Sequence, residues 1–584
     1  MVELRTLYTG SMATLLLAAG QCCFFCELTR GEPAALHASS RTEEPAAHSS
    51  PEGFPVSIHI DAAQQAGPLR PIWRFFGYDE PNFTYMKDGR KLLAELSRIG
   101  SEPVFIRTHH LLTSGDGIPA LKWGSTGVYS EDQNGTPVYH WEIIDRIFDT
   151  YRALNLKPFV EIGFMPEALS THPQDYPHDP PADKMVSPGL GFSYPPKDYL
   201  KWSELCLQWT KHCVERYGAA EVAQWRWEVW NEPNIFYWKA TPQEYFKLYD
   251  FAVEGVKRAL PAARVGGPHT AGGSGGQFLH NFLVHCLQET NYATSQLGSP
   301  LDFIAFHAKG SPHFENGHVR MGIANQLQNI DSGFAAVAAF PELKDKPVII
   351  GECDPEGCAA CQGPQLGYRN STMYSSYTAA SFARAYQLAD QYGVNFEGAL
   401  TWAFEFENEP YFAGFRVLAS NGIDLPVLNV FRLFGKMSGA RLTARSSADP
   451  GLEMVRAQGV RGAAEVSALA CLENRRLCVL VWHYHDDDLP GDQAAVELSV
   501  TGLPWADGVV REEHYRIDQQ HSNAFEFWKR LGSPANPTSD QYAQLEKAGQ
   551  LALLETGSAR VEHGSFNRRF LLPRQAVSLW IVER

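Results

Sequence analysis

The stretch Trp227-Glu228-Val229-Trp230-Asn231-Glu232-Pro233-Asn234 reads as a short apolar strand that stops abruptly at Asn-Glu-Pro. A second stretch, Pro347-Val348-Ile349-Ile350-Gly351-Glu352-Cys353-Asp354-Pro355, has the same form: a buried-type strand with a carboxylate at its C-terminal end. Continuous apolar runs of this length suit strands buried on both faces, as in a parallel sheet. In a parallel barrel, side chains at the C-terminal ends of the strands converge on one mouth.

Working outward, residues 70–435 alternate short apolar runs with amphipathic stretches. The other runs are Trp73-Arg74-Phe75-Phe76, Val104-Phe105-Ile106-Arg107, Pro158-Phe159-Val160-Glu161-Ile162, Ala263-Arg264-Val265-Gly266-Gly267, Asp302-Phe303-Ile304-Ala305-Phe306-His307 and Ala399-Leu400-Thr401-Trp402. With the first two they make eight. Helical patterns at 139–154, 198–217, 242–259, 321–338 and 374–392 lie between them. The fold expected is α/β, a (β/α)8 TIM barrel with enlarged loops, in which Glu232 ends strand four and Glu352 ends strand seven. Two carboxylates brought to one mouth are the equipment of glycoside hydrolysis, one as proton donor and the other as nucleophile or base. The long loops 165–197 and 353–372, rich in Pro, Gly and aromatic residues, would wall such a site.

Beyond residue 440 the texture changes. Leu477-Cys478-Val479-Leu480-Val481-Trp482, Ala495-Val496-Glu497-Leu498-Ser499-Val500 and Val577-Ser578-Leu579-Trp580-Ile581-Val582 are alternating or β-branched runs separated by turns. They predict an accessory antiparallel β-sandwich over 438–584, with a helical insertion near 515–556. The barrel is expected over 55–437, with residues 55–65 free to join the sandwich instead, since Val56-Ser57-Ile58-His59-Ile60 alternates.

At the N-terminus, Arg5 precedes the apolar run Met12–Ala19, and small residues follow near Gly20. Residues 1–28 therefore read as a signal or targeting segment, which places the protein in the periplasm or outside the cell. The run is too short to span a bilayer. Cys22 and Cys23 raise lipid anchoring, against which Gln21 argues. Residues 29–54, with Ala, Glu, Ser, Pro and His and no apolar periodicity, read as a disordered linker.

A chain of 584 residues with 44% hydrophobic and 12% aromatic content is globular and exceeds one core. Its net charge of -16 argues against nucleic acid or an anionic membrane as partner. No metal or cofactor motif appears; Gly272-Gly273-Ser274-Gly275-Gly276 lacks the lysine and the strand-to-helix context of a phosphate loop and reads as a flexible loop after strand five. Eleven cysteines are too few for a disulfide scaffold. Cys358-Ala359-Ala360-Cys361 suggests a local disulfide bracing the loop after Glu352, with Cys353 a possible participant, and Cys471 and Cys478 flank a tight turn that suits a cross-strand disulfide.

The ordered motifs resemble glycoside hydrolase family 39, the β-xylosidase and α-L-iduronidase family of the retaining 4/7 superfamily. The resemblance rests on Trp230-Asn231-Glu232-Pro233 after strand four, Arg107-Thr108-His109 after strand two, and Leu301 to Gly310 around strand six. Glu352-Cys353-Asp354-Pro355-Glu356-Gly357 matches the strand-seven loop, and its Cys358-Ala359-Ala360-Cys361 continuation resembles the bacterial β-xylosidases. It implies Glu232 as general acid/base, Glu352 as nucleophile, and Asn231 as the partner of the sugar 2-hydroxyl. Arg107 would hold Glu352 ionised, while His109 and His307 would orient carboxylates or hydroxyls. After strand eight, Glu405 would bind the terminal sugar, with Phe404 and Trp402 stacking beneath it. Glu161 and Asp79 would face the mouth or brace the loops.

The implied reaction is exo-acting release of a terminal pentose, β-D-xylose first, from xylo-oligosaccharides or small glycosides. Arabinose-containing glycosides are an alternative. An α-L-iduronide is another, kept open by Lys309 and Arg416 as cations for a sugar carboxylate. A β-glucosidase or endo-mannanase of the same superfamily, or a catalytically silent carbohydrate-binding protein, are further alternatives. Both glutamates being present speaks against the silent one.

Overall fold

The computed structural model describes residues 53–178, 186, 189–402 and 404–584. The expected targeting segment, and the linker up to residue 52, lie outside the described residues. Among those described, no helix is long and apolar enough to cross a membrane.

Eight parallel strands close into a barrel: Phe75–Tyr78, Phe105–Thr108, Lys157–Ile162, Arg226–Val229, Arg264–Thr270, Phe303–Lys309, Val348–Asp354 and Phe396–Trp402. All eight coincide with the apolar runs. The strands are buried nearly throughout because the barrel interior covers one face and helices cover the other. Register places chemistry at one level: Arg107 lies opposite Gly77 and Phe159, Glu161 opposite Glu228, and Glu352 opposite His307.

Helices follow where the 3.6-residue pattern and its end signals predict. Asp198 caps Tyr199–Tyr217 by accepting from the N–H groups of Leu200 and Lys201 at 2.9 and 3.1 Å, and Gly218 ends it at φ +88°. Helix Pro242–Ala259 starts with Thr241 as cap and proline at its first position. The first predicted helix is shorter than expected, Glu142–Ala153, because Pro137–Tyr139 pairs with Tyr129–Glu131 as a hairpin in the loop after strand two. Helix Phe278–Gln288, absent from the periodic reading, follows the glycine-rich loop. That loop is fastened to the barrel: Gly273 N–H donates to the His307 carbonyl at 2.8 Å.

The accessory region is one nine-stranded sheet, ordered Ala552–Val561, Gly508–Ile517, Val577–Glu583, Arg476–Tyr484, Glu465–Glu473, Ala440–Ser446, Phe54–Pro68, Ala494–Thr501 and Phe566–Leu572. The N-terminal strand thus enters this sheet, antiparallel to Ala440–Ser446 and parallel to Ala494–Thr501, the sole parallel pairing of a mostly antiparallel sheet. Val56 and Val496 from one half share an apolar cluster with Val510 and Trp580 from the other, so the sheet folds over its own core. Helices Ala524–Arg530 and Ser539–Gly549 interrupt it and reach the barrel, where Lys91 Nζ meets Glu546 at 2.7 Å. The sheet is also tied to barrel helix Thr372–Tyr392 through Arg384 and Glu465, 3.1 Å apart.

Cys358 and Cys361 form the disulfide after strand seven, while Cys353 is a buried free thiol. Cys471 and Cys478 face each other across the predicted hairpin but remain free. The turn fixed their alignment; it did not require the bond.

Candidate active site

Strand four leaves the barrel through a tightly held turn. Trp230 and Glu232 have φ values of +71° and +43°, left-handed conformations that cost a non-glycine residue about 1 kcal/mol or more. The turn is held by several bonds. Glu232 N–H donates to the His269 carbonyl at 3.2 Å, and Ile235 N–H returns to the Glu232 carbonyl at 3.1 Å. Trp230 Nε1–H donates to the Tyr237 carbonyl at 3.0 Å. Asn234 and Ala271 exchange two further hydrogen bonds, at 3.1 and 2.8 Å. The outcome is a carboxylate aimed inward, with Glu232 Oε1 at 2.9 Å from His307 Nδ1.

Glu352 arrives on strand seven behind a glycine whose size is dictated by its neighbours. A Cβ at Gly351 would lie 2.1 Å from His269 Nδ1. Each Glu352 oxygen has a cation: Arg107 Nη1 donates to Oε1 at 3.0 Å, and Lys309 Nζ lies 2.5 Å from Oε2. Arg107 is fully buried and also reaches Glu228 (Nε to Oε1, 2.5 Å), Glu161 (Nη2 to Oε2, 3.0 Å) and Asn231 (Nη2 to Oδ1, 3.0 Å). Lys309 also binds Asp354 Oδ2 at 2.6 Å. From there a chain of alternating charge runs outward. Asp354 meets Arg416 Nη1 at 2.8 Å, Arg416 Nε meets Glu356 at 2.7 Å, and Glu356 meets Arg369 Nη2 at 2.9 Å. Arg369 ends it by donating to the Cys358 and Cys361 carbonyls, both at 2.6 Å, at the disulfide.

One carboxylate oxygen of Glu232 and one of Glu352 lie within 4.8 Å of each other, with a His307 nitrogen in the same group. Their surroundings drive the two acids apart. Burial, and then the charge of Glu352, push Glu232 up to about 7. Burial would raise Glu352 too, but Lys309 and Arg107 overturn it and hold that carboxyl well below its usual range. Burial also lowers His307 far below the ordinary imidazole value, so it meets Glu232 as a neutral ring. His109 goes the other way. It sits between Asp79 (Nδ1 to Oδ1, 2.7 Å) and Glu161 (Nε2 to Oε2, 3.0 Å), and these raise it to about 9 against the opposing effect of burial. The triad Glu232, His307 and Glu352 offers a cation three donors, yet Lys309 and Arg107 already occupy both oxygens of Glu352.

Asn231, Arg107, His109, His307 and Lys309 therefore surround the two glutamates, as their strand-end positions imply. Trp402 closes the floor, its ring 4.2 Å from that of His109 and 4.9 Å from the Arg107 guanidinium. Phe404 is buried and stacks on Tyr78 at 3.9 Å, so its face is used in packing. Glu405 is fully buried and accepts the Gly422 N–H, and burial holds its carboxyl well above the usual range. It does not reach the cluster in the way its position after strand eight suggested. Arg416 is likewise consumed by Asp354 and Glu356. Of Glu161 and Asp79, both belong to the site's inner network.

Four residues escaped the sequence reading. Glu228 carried a signal, a charge in an apolar strand with the same inward parity as Glu232; here it binds Arg107 and His269. His269 lies near the end of strand five at φ +55°, and Lys122, 3.0 Å from Asp79, comes from the long loop after strand two. Tyr237 stacks on Phe164 at 5.8 Å beside His109. Nothing local in the sequence marks the last three.

Residues 56–566 match the model of glycosyl hydrolases family 39. A β-xylosidase of Geobacillus stearothermophilus is 28% identical over 498 residues, covering 82% of this chain and 86% of that one. Human α-L-iduronidase is 27% identical over 544 residues, covering 85% of this chain and 74% of that one. Among solved structures, a monomeric β-xylosidase from Caulobacter crescentus superimposes with a TM-score of 0.69 at 22% identity, covering 90% of this chain and 99% of that one, which shows the shared architecture. With the family match spanning barrel and accessory sheet, the chain belongs to glycosyl hydrolases family 39 and is a glycosidase.

Proposed function

We propose that the protein is a retaining exo-glycosidase that releases terminal β-D-xylose by double displacement. The observation that carries this reading is the pair of carboxyls with oxygens within 4.8 Å, one raised to about 7 and the other held well below its usual value. Retaining enzymes place these groups about 5–5.5 Å apart, whereas inverting ones leave about 6.5–9.5 Å for a water. Protonated Glu232 donates its proton to the glycosidic oxygen, and the leaving group departs as a neutral alcohol. Ionised Glu352 attacks the anomeric carbon and forms a glycosyl ester. Glu232, now a carboxylate, takes a proton from the water that opens that ester, which restores both groups. Neutral His307 supports the cycle because it can hydrogen-bond Glu232 without fixing its charge.

The sugar is argued from what surrounds the pair. A uronide needs a cation or backbone donors for its carboxylate, and the two candidate cations are engaged elsewhere. Arg416 is fully buried between Asp354 and Glu356, and Lys309, its side chain 14% exposed, binds Glu352 and Asp354. The likeness to two bacterial β-xylosidases supports xylose on separate grounds. The test is hydrolysis of an aryl β-D-xyloside beside an aryl α-L-arabinopyranoside and an aryl α-L-iduronide, with the product anomer followed by NMR. Xyloside turnover with β-xylose formed first is expected. Iduronide turnover alone would replace the sugar and leave the two glutamates in their roles, and α-xylose appearing first would overturn the retaining mechanism.

A further inference from the structure

Twelve of the fourteen tryptophans are buried and Phe404 is stacked within the core, so the aromatic residues of the barrel mouth offer few open faces. Among the described residues three phenylalanine, tyrosine or tryptophan residues are exposed: Phe236 at 50%, Phe314 at 48% and Tyr292 at 46%. Tyr292 lies between helix Phe278–Gln288 and strand six, at the end of the barrel away from the site. Phe314 belongs to the hairpin His313–Glu315/His318–Arg320, which Arg320 fastens to Asp487 of the accessory sheet at 2.6 Å. Phe236 belongs to the turn that aims Glu232.

Its placement is specific. The turn Glu232 to Ile235 is closed by a 3.1 Å hydrogen bond, a second closes Ile235 to Trp238 at 3.1 Å, and Phe236 lies within the second. Its ring centre lies 4.9 Å from that of Tyr237, which in turn is 6.4 Å from His109 and stacked on Phe164. Rings therefore continue from the floor at Trp402 and His109, through Tyr237, to the half-exposed Phe236, four residues after Glu232 on the segment that carries it. The side of the sugar that faces Glu232 is the side on which the leaving group sits, because the acid must reach the glycosidic oxygen. A ring left half in water costs apolar exposure, which a second ring laid on it would remove.

We propose that Phe236 is the stacking platform of a leaving-group subsite, taking the pyranose or aryl ring attached to the sugar that is released. This rests on the double-displacement reading above and adds to it the chemical class of the leaving group, a ring with an apolar face. Such a platform contributes binding shared by the ground and transition states, so its loss appears in KM more than in kcat.

The deciding comparison is wild type, Phe236→Ala, Phe236→Trp and Phe314→Ala on β-1,4-xylobiose and on β-D-xylosyl fluoride, whose leaving group has no ring. Phe236→Ala is expected to lose about tenfold in kcat/KM on xylobiose, through KM, with a change of less than about twofold on the fluoride. Phe236→Trp should restore xylobiose hydrolysis, and Phe314→Ala should leave both substrates unchanged. Equal losses of Phe236→Ala on both substrates would assign Phe236 to the folding of the Glu232 turn and overturn the platform. So would an unchanged KM for xylobiose, or a loss confined to Phe314→Ala. A wild type inactive on both xylosides would instead overturn the sugar; the same four proteins on the aryl glycoside that is hydrolysed and its glycosyl fluoride would then decide Phe236.

Discussion

The two glutamates of the site are the same residue within 4.8 Å of each other, yet they occupy opposite environments. Glu232 stands on a strained turn after strand four, with one neutral histidine as its close partner. Glu352 stands within strand seven, with a cation on each oxygen and an alternating ion chain behind it that reaches the disulfide. One site is built from backbone and desolvation, the other from fixed charge. The difference teaches how a single residue type supplies both an acid and an anion: the same burial raises both carboxyls, and cations rescue only one of them. Neither Lys309 nor Arg107 touches Glu232.

The largest test of that contrast removes the rescued carboxylate. Glu352→Ala is expected to lower kcat on an aryl xyloside by about 10⁴-fold or more, because no other group can form the ester. Added azide should restore turnover and give the α-glycosyl azide, the anomer formed when a small anion attacks from the vacated side. Recovery of the β-azide would exchange the roles assigned to the two glutamates.

Glu232→Gln comes next, at about 10²–10⁴-fold on xylobiose and less on substrates with good leaving groups, with loss of the alkaline limb of the pH profile. The same substitution has a consequence for stability. The folded-state value of about 7 lies above the ordinary carboxylate value of 4.5, so the stability linked to Glu232 is complete below 4.5 and lost as pH rises through 7. A glutamine cannot ionise and escapes this loss. The variant should match the wild type near pH 4 and exceed it at pH 8 by on the order of 3 kcal/mol, read as a higher thermal midpoint. Equal midpoints at pH 8 would mean that Glu232 is not held in a desolvating site.

Lys309→Met attacks the other environment. With its nearest cation gone, Glu352 keeps Arg107 at 3.0 Å and the charged His109 at 3.8 Å, and its pKa should rise. The acid limb of kcat/KM is then expected to move about one unit toward neutral pH, with about a tenfold loss at pH values on that limb and little change at about pH 6. An unmoved acid limb would show that Arg107 and His109 set the ionisation of Glu352 without Lys309.

How much of this was legible beforehand divides along the same line. Strand content and the positions of both glutamates could be read because buried parallel strands are continuous apolar runs and the mouth lies at their C-terminal ends. Arg107, His109 and His307 followed from the same rule, each lying within two residues of a strand end. What periodicity does not encode is where a chain goes once it leaves a strand. Phe404-Glu405-Phe406 looks like a continued strand with Glu405 toward the sugar, but the chain turns and the carboxylate meets the Gly422 N–H. Lys122 arrives from a long loop, and His269 adopts a left-handed backbone that histidine rarely signals in sequence. Cys471 and Cys478 show the limit from the other side: register could be read from the turn, while the bonding of the two sulfurs could not.

The smallest effect is expected at the far end of the ion chain. The Cys358–Cys361 disulfide closes a loop with a sequence separation of only 3, so the entropy it removes from the unfolded chain amounts to about 2 kcal/mol. The loop does not depend on it alone. Arg369 donates to the Cys358, Ala359, Cys361 and Gly414 carbonyls, and Arg416 N–H donates to the Ala359 carbonyl at 2.9 Å. Reduction, or the double substitution Cys358→Ser with Cys361→Ser, should therefore change kcat/KM by less than about threefold and leave the acid limb in place. Arg369→Met removes the guanidinium instead, leaving Glu356 with Arg416 as its remaining cation and the loop without four hydrogen bonds; it should cost more than the disulfide does. If reduction proved the more damaging, the covalent link, and not the buried charges, would be what holds the wall behind Glu352.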